Sequence, residues 1–233
     1  MSRVLELVQT TPPTTMVVVL LCTVLYIFQI LVGPTVSAVT FSPRLVMGLG
    51  DCYCIITSAL YHGGFMHIAM NMMSMVAIGG SLEKHMGTLS MAVTILHSII
   101  WTSVLYTVIA WMAFAVFDYE KLWFQHSVGF SGVLFHLSVL ECHMGPLQPR
   151  NLFGIVSVSP QWYPWVLWIV LQFILPNLSF LGHLSGIVVG TLHLHGYLDW
   201  ILPIEDTMRE LDESSWMVLE VRPNINIYQL HGY

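Results

Sequence analysis

The sequence predicts an all-α membrane protein, a bundle of six transmembrane helices. Three observations carry that reading. Of 233 residues, 56% are hydrophobic and only 9% charged, with a mean hydropathy of +0.74, so lipid is the expected solvent. Six apolar stretches, at residues 16–33, 65–83, 88–117, 131–146, 163–178 and 181–200, lie between polar, Pro or Gly breaks. Most approach the roughly 20 residues a helix needs to cross the hydrocarbon core. The second, fourth and sixth carry His, Asn, Ser and Gly in place of a clean lipid-facing surface, which puts them inside the bundle.

Taken in order, the first stretch follows a polar segment, residues 1–15, that contains Pro12 and Pro13 and leads to no small-residue cleavage site. It reads as a signal anchor. The second is entered through His62-Gly63-Gly64-Phe65-Met66-His67-Ile68-Ala69-Met70-Asn71, in which His67 and Asn71, four residues apart, share a helix face. The third is a long, unbroken apolar run. The fourth begins at Gly129-Phe130-Ser131-Gly132. The fifth, around Trp162 to Leu175, is short and aromatic and suits the lipid boundary. The sixth is entered through Gly182-His183-Leu184-Ser185-Gly186. Residues 201–233 are mixed in character, acidic around Glu205 to Glu213, and too short for a second domain.

An even number of spans puts both termini on one side, and basic residues in short loops choose the side. With a cytosolic N-terminus, Arg3, Lys84, Arg150, Arg209 and Arg222 face the cytosol while Arg44 and Lys121 do not. The chain then divides into a cytosolic segment 1–15, a six-span domain 16–200 and a cytosolic tail 201–233.

Composition also excludes. A net charge of -6 with seven Lys plus Arg cannot form the basic surface that nucleic acid requires. Cys22, Cys52, Cys54 and Cys142 form no CxxC pair, so neither a zinc site nor a disulfide framework is indicated. His97, His136 and His143 read as bundle or interface residues. His193 and His195 flank the end of the last span but are too few for a metal site, so no metal and no cofactor is assigned. Gly48-Leu49-Gly50-Asp51 matches the GxGD of aspartyl proteases, but Asp51 and Asp118 both fall outside the spans; no HExxH occurs either. Asn177-Leu178-Ser179 is a formal glycosylation sequon that hugs the membrane between two spans, and its use is not expected.

Strongly polar side chains within a span are costly, which makes each a functional hypothesis. The three polar entrances belong to the second, fourth and sixth spans, whose helices run in the same direction in a six-span bundle. All three groups therefore fall near one leaflet. A serine hydroxyl becomes a nucleophile when a neutral His within hydrogen-bond reach takes its proton, and Ser131 and His183 fit those roles. Gly129 and Gly132 permit close backbone approach beside Ser131, and a helix start offers N–H groups to an oxyanion. Asn71, with His67 beside it, adds side-chain donors. Gly186 and Gly190 form a small-xxx-small face that lets the sixth span approach the fourth.

On these residues the chain resembles the rhomboid intramembrane serine proteases. The family pattern HxxxxHxxxN appears as His62, His67 and Asn71, GxSG as Gly129 to Gly132, and the late His with GxxxG as His183, Gly186 and Gly190, over about residues 16 to 200. The stretches around Ser131 and His183 are especially similar to the endoplasmic-reticulum branch typified by rhomboid-related protein four. The resemblance implies a serine endopeptidase with a Ser131–His183 dyad, no acidic third member and no metal. It would cleave membrane proteins in or near a transmembrane helix, from the endoplasmic reticulum or another endomembrane, in membrane-protein quality control. The implied partners are the lipid bilayer, transmembrane protein substrates and degradation machinery.

Three departures stand out. Phe135 occupies the position four after the serine where many relatives have Tyr, so its ring can pack on His183 but has no hydroxyl. The loop from Gly33 to Tyr61 has only Arg44 in place of a Trp-Arg pair, and the tail lacks a ubiquitin-interacting pattern. The rival reading is a rhomboid-like pseudoprotease that binds or dislocates membrane clients without cutting them.

Overall fold

The computed structural model describes residues 10–144, 148–175 and 178–198. The expected tail 201–233, Arg3, Arg209, Arg222 and Asn177 of the sequon lie outside the described residues.

Helix α1, Pro13–Leu31, starts on a proline, whose missing N–H would have had no intrahelical partner there. Its carboxylate cap comes from far along the chain. Glu83, buried, accepts hydrogen bonds from Thr14 N–H at 2.8 Å, Thr15 N–H at 2.7 Å and the Thr15 hydroxyl at 2.8 Å. The negative group thus sits against the positive end of the helix. After α1, the segment expected as a loop contains a short helix α2, Cys54–Leu60. Helix α3, Phe65–Ser74, runs through a π-turn at Met75–Gly79 into α4, Gly80–Met86, so that Phe65–Met86 acts as one rod. Then come α5, Thr88–Phe117, and the short α6, Glu120–Phe124. The remaining helices are α7, Ser131–Met144; α8, Tyr163–Ile174; and α9, Phe180–Leu194.

Helices therefore occupy all six apolar stretches, but their lengths divide them. Among the described residues, three are long and apolar enough to cross a membrane: Pro13–Leu31, Phe65–Met86 and Thr88–Phe117. Helices α7, α8 and α9 have 14, 12 and 15 residues. At about 1.5 Å per residue each is shorter than a hydrocarbon core of about 30 Å. The sixth helix stops at Leu194, earlier than its apolar run suggests, because Gly196 turns into the left-handed region (φ 74°). Tyr197 N–H then bonds back to Leu192 O at 3.0 Å, a glycine stop that satisfies a terminal carbonyl. The fifth ends at Ile174. Leu175 is followed by Pro176, and a residue before proline is disfavoured in helical geometry.

Helix α7 is the axis of the bundle, with Val133 through Cys142 buried without interruption. Helix α9 packs closest against it. A Cβ on Gly190 would lie 2.9 Å from His136 O, and one on Gly186 would collide with Gly132 O. Only glycine allows that approach. At the periphery, α8 buries Pro164 alone, while Trp165, Trp168 and Leu171 pack on Phe135, Val139 and Ile187. A small hairpin that the hydropathy pattern did not announce joins α7 to α8: strands β1, Arg150–Leu152, and β2, Val156–Val158, are antiparallel, with Asn151 opposite Ser157. It is tied to α7 by the Arg150–Glu141 ion pair.

Candidate active site

The site forms where the N-terminal ends of α3, α7 and α9 meet. Ser131 is the first residue of α7, and the chain reaches it through Gly129 at φ 118°, a conformation open to glycine and strained for other residues. Gly129 N–H is anchored to Ser58 O on α2 at 2.7 Å, and Phe130, fully buried, pins the turn into the core. On α9, Ser179 caps the helix by accepting from Gly182 N–H at 3.2 Å, and Ser127 Oγ donates to Ser179 Oγ at 2.8 Å. The segment before α7 and the start of α9 are thus bonded directly, four residues away from Ser131 and His183 respectively.

Between them, Ser131 Oγ and His183 Nε2 stand 2.8 Å apart, a hydrogen bond between side chains 52 residues apart in sequence. His183 is 3% exposed while Ser131 is partly exposed, so the bond is part-buried. The Phe135 ring packs one turn below Ser131 against the imidazole, with centroids 4.7 Å apart and planes tilted by 35°. It holds the ring by contact where a hydroxyl is missing.

His67 and Asn71 come from the opposite side. A Cβ on Gly129 would collide with the His67 ring and lie 3.5 Å from Asn71 Nδ2, so both side chains abut the backbone leading to Ser131. His67 Nε2 and Asn71 Nδ2 are buried and make no hydrogen bond within the protein. Buried polar nitrogens are normally paired, and two orphans beside Ser131 form a polar pocket suited to an oxygen. The first turn of α7 adds backbone N–H groups without intrahelical acceptors. His62 is fully buried; its Nε2 accepts from Phe130 N–H at 3.5 Å, and its ring meets His67 edge-on at 5.2 Å. It braces the turn and does not reach the Ser131–His183 pair.

A cavity of about 70 Å³ opens beside Ser131, Gly132 and His183. Its wall includes Thr102 and Tyr106 from α5, which the sequence reading did not single out. On a helix that is apolar all round, no periodicity distinguishes those two hydroxyls. In sequence, His97 and His136 group with His143 as bundle or interface residues, while His193 stands apart with His195 at the end of the last span. The structure brings His97, His136 and His193 together: His136 Nε2 and His193 Nδ1 are 3.0 Å apart, and the His97 and His193 ring centroids are 5.6 Å apart. Among the described residues, no group of three His, Cys, Asp or Glu is arranged to hold a metal ion. Asp51 of the GxGD match and the separate Asp118 lie in loops, Asp118 as the left-handed cap of α5.

A helical membrane bundle with a Ser–His pair at the mouth of its central helix defines the class of protein. Within it, the chain belongs to the rhomboid family: the rhomboid domain model matches residues 49–199. Rhomboid-like protein 15 of Arabidopsis thaliana is 32% identical over 214 residues, covering 91% of this chain and 53% of that protein. Rhomboid-related protein 4 of Mus musculus is 33% identical over 152 residues, covering 65% of this chain and 48% of its own length. Rhomboid-type serine protease 2 of Debaryomyces hansenii is 29% identical over 152 residues, 62% of this chain and 50% of the relative. The chain spans about half the length of the curated relatives it matches.

Proposed function

We propose that this chain is an intramembrane serine endopeptidase that cuts membrane proteins within or beside a transmembrane helix. The observation that carries the reading is the 2.8 Å hydrogen bond between Ser131 Oγ and buried His183 Nε2. His183 takes the serine proton as Ser131 Oγ bonds to the peptide carbonyl carbon, and the carbonyl electron pair moves onto oxygen. Asn71, His67 and the Ser131 amide steady that oxyanion. Collapse expels the amine, which receives the proton from His183; water then adds to the acyl-enzyme by the same steps in reverse order. His62, Gly129, Gly132, Phe135, Gly186 and Gly190 position these groups without reacting. Nothing in this chemistry calls for a metal or cofactor.

The bundle is read as crossing the membrane six times, with α7, α8 and α9 spanning a locally thinned or polar-lined path because each is short. Substrate enters laterally past α8, the least buried helix among those around the site. Both termini face the cytosol, residues 1–15 and 201–233 flank the protease domain 16–200, and the membrane is the endoplasmic reticulum or a related endomembrane. The resemblance of the stretches around Ser131 and His183 to the endoplasmic-reticulum branch motivates that placement, and with it a role in membrane-protein quality control alongside degradation machinery.

The test compares membrane-protein fragments, by terminus-directed proteomics, in cells carrying wild type or Ser131→Ala at equal expression. Fragments that depend on Ser131 and His183 support the protease. An identical fragment set, with intact clients still co-purifying, replaces it with the pseudoprotease that binds without cutting.

A further inference from the structure

The hairpin between α7 and α8 is apolar where a loop facing water would be polar. From Asn151 to Leu175 the sequence holds no Asp, Glu, Lys or Arg. The hairpin's one charge, Arg150, is engaged within the protein: it pairs with Glu141 on α7, and its guanidinium lies 5.9 Å from the centroid of the Tyr163 ring at the start of α8. At the tip, Leu152 turns inward and is buried, while Phe153, Ile155 and Val156 stand out, Ile155 with 84% of its surface exposed. Single exposed apolar residues need no explanation, but three side by side at a loop tip form a patch that calls for a partner.

The turn is also shaped against local preference. Ile155 N–H bonds to Leu152 O at 3.0 Å, closing a two-residue turn in which Phe153 (φ 51°) and Gly154 (φ 75°) both lie in the left-handed region. Asn is the residue that suits the first of these positions, and a bulky aromatic is strained there. An exposed Phe at that position is unfavourable twice over unless its ring is covered. Chain continuity identifies the cover. Four residues after β2, Trp162 opens an exposed stripe that continues at helical spacing through Ile169 and Phe173 on α8, the face such a bundle turns to acyl chains. Trp concentrates at the headgroup level, so Trp162 marks where the membrane surface meets this helix. The hairpin enters that surface from the C-terminal end of α7, the end away from Ser131.

We propose that Phe153, Ile155 and Val156 insert into the headgroup–acyl boundary of the leaflet opposite Ser131, and that this anchor fixes the level at which α8 begins. Asn151 and Ser157, exposed and opposite each other in the ladder, stay on the water side. Insertion desolvates no charge, and the turn's Leu152 O and Ile155 N–H are already paired. The proposal needs the bilayer and not the protease chemistry.

The test uses the full chain in phosphatidylcholine vesicles, with an NBD fluorophore on Ile155→Cys, Val156→Cys or Ser157→Cys. Each is made in Cys52→Ser, because Cys52 is the exposed native thiol while Cys22, Cys54 and Cys142 are buried. Quenching by lipids brominated at two acyl depths gives the level of each probe. Those on Ile155→Cys and Val156→Cys are expected about 5–10 Å into the interface, the depth of apolar faces that lie in it, and the one on Ser157→Cys beyond the reach of bromine. Phe153→Asn suits the turn and keeps the hairpin folded, yet should move the Val156→Cys probe towards water. The Val156→Cys probe also keeps the test standing if Ile155→Cys disturbs the turn. Probes at both tip positions quenched no more than the one on Ser157→Cys overturn the proposal, and shielding of those probes from aqueous iodide then assigns the cover to protein.

Discussion

The rings of Phe135 and His183 are stacked obliquely, 4.7 Å between centroids, with Phe135 on the same helix as Ser131 and one turn further in. The same helix therefore carries Ser131 and the ring that packs on His183. Phe135→Tyr is expected to keep the contact and the labelling rate within about twofold. Phe135→Leu keeps the position apolar but removes the ring face; the rate of fluorophosphonate labelling should fall by roughly tenfold, the cost of a loosely aimed base. Labelling kinetics on equal amounts of folded protein decide the point. An unchanged rate in Phe135→Leu shows that His183 is held by other contacts.

Asn71 and His67 bring nitrogens without protein partners to the backbone before Ser131. If they meet the oxyanion, their contribution appears only in the transition state. Asn71→Ala should lower kcat about 100-fold with KM changed little. Steady-state cleavage of a transmembrane substrate gives both constants. A rise in KM at constant kcat assigns Asn71 to substrate binding instead.

The closeness of α7 and α9 rests on two glycines. Gly186→Ala drives a methyl into Gly132 O, and Gly190→Ala places one 2.9 Å from His136 O and 3.0 Å from the Val139 Cβ. Each should destabilise the fold by about 1–3 kcal/mol, and Gly186→Ala should also part Ser131 from His183. Gly80→Ala, where the nearest atom is Pro12 Cδ at 3.7 Å, is the control and should be neutral. Unfolding in mixed detergent micelles measures the ranking.

Glu83 ties the start of α1 to the end of the second rod through three hydrogen bonds. Glu83→Ala leaves the Thr14 and Thr15 amides unpaired and should cost about 2–3 kcal/mol, seen as a lower Tm. Because the contact is remote from Ser131, labelling of the folded fraction should persist.

Hydropathy located the helix in each of the six apolar stretches, since long apolar runs are what lipid demands, but not the short helices Cys54–Leu60 and Glu120–Phe124, and the span parity grouped Ser131, His183, His67 and Asn71. What the sequence hid was of another kind. The Glu83 cap joins residues 68 and 69 apart, with no local pattern to mark it. The three-residue strands Arg150–Leu152 and Val156–Val158 are too short to show an alternation. Thr102 and Tyr106 sit on α5, whose apolar surface runs all round, and only the packing of α7 and α9 reveals which side faces the site. The early ends at Ile174 and Leu194 are set by Pro176 and Gly196, local stops that an apolar run overrode in the reading of span length.

The central claim is that His183 makes Ser131 a nucleophile inside the bundle. Its most direct test is mass-spectrometric mapping of the adduct after fluorophosphonate treatment of the full chain in bilayers, with Ser131→Ala and His183→Ala alongside. The account predicts a single adduct on Ser131, absent in Ser131→Ala and slowed at least 100-fold in His183→Ala. A folded protein that takes no adduct at Ser131, or takes it equally fast without His183, contradicts it.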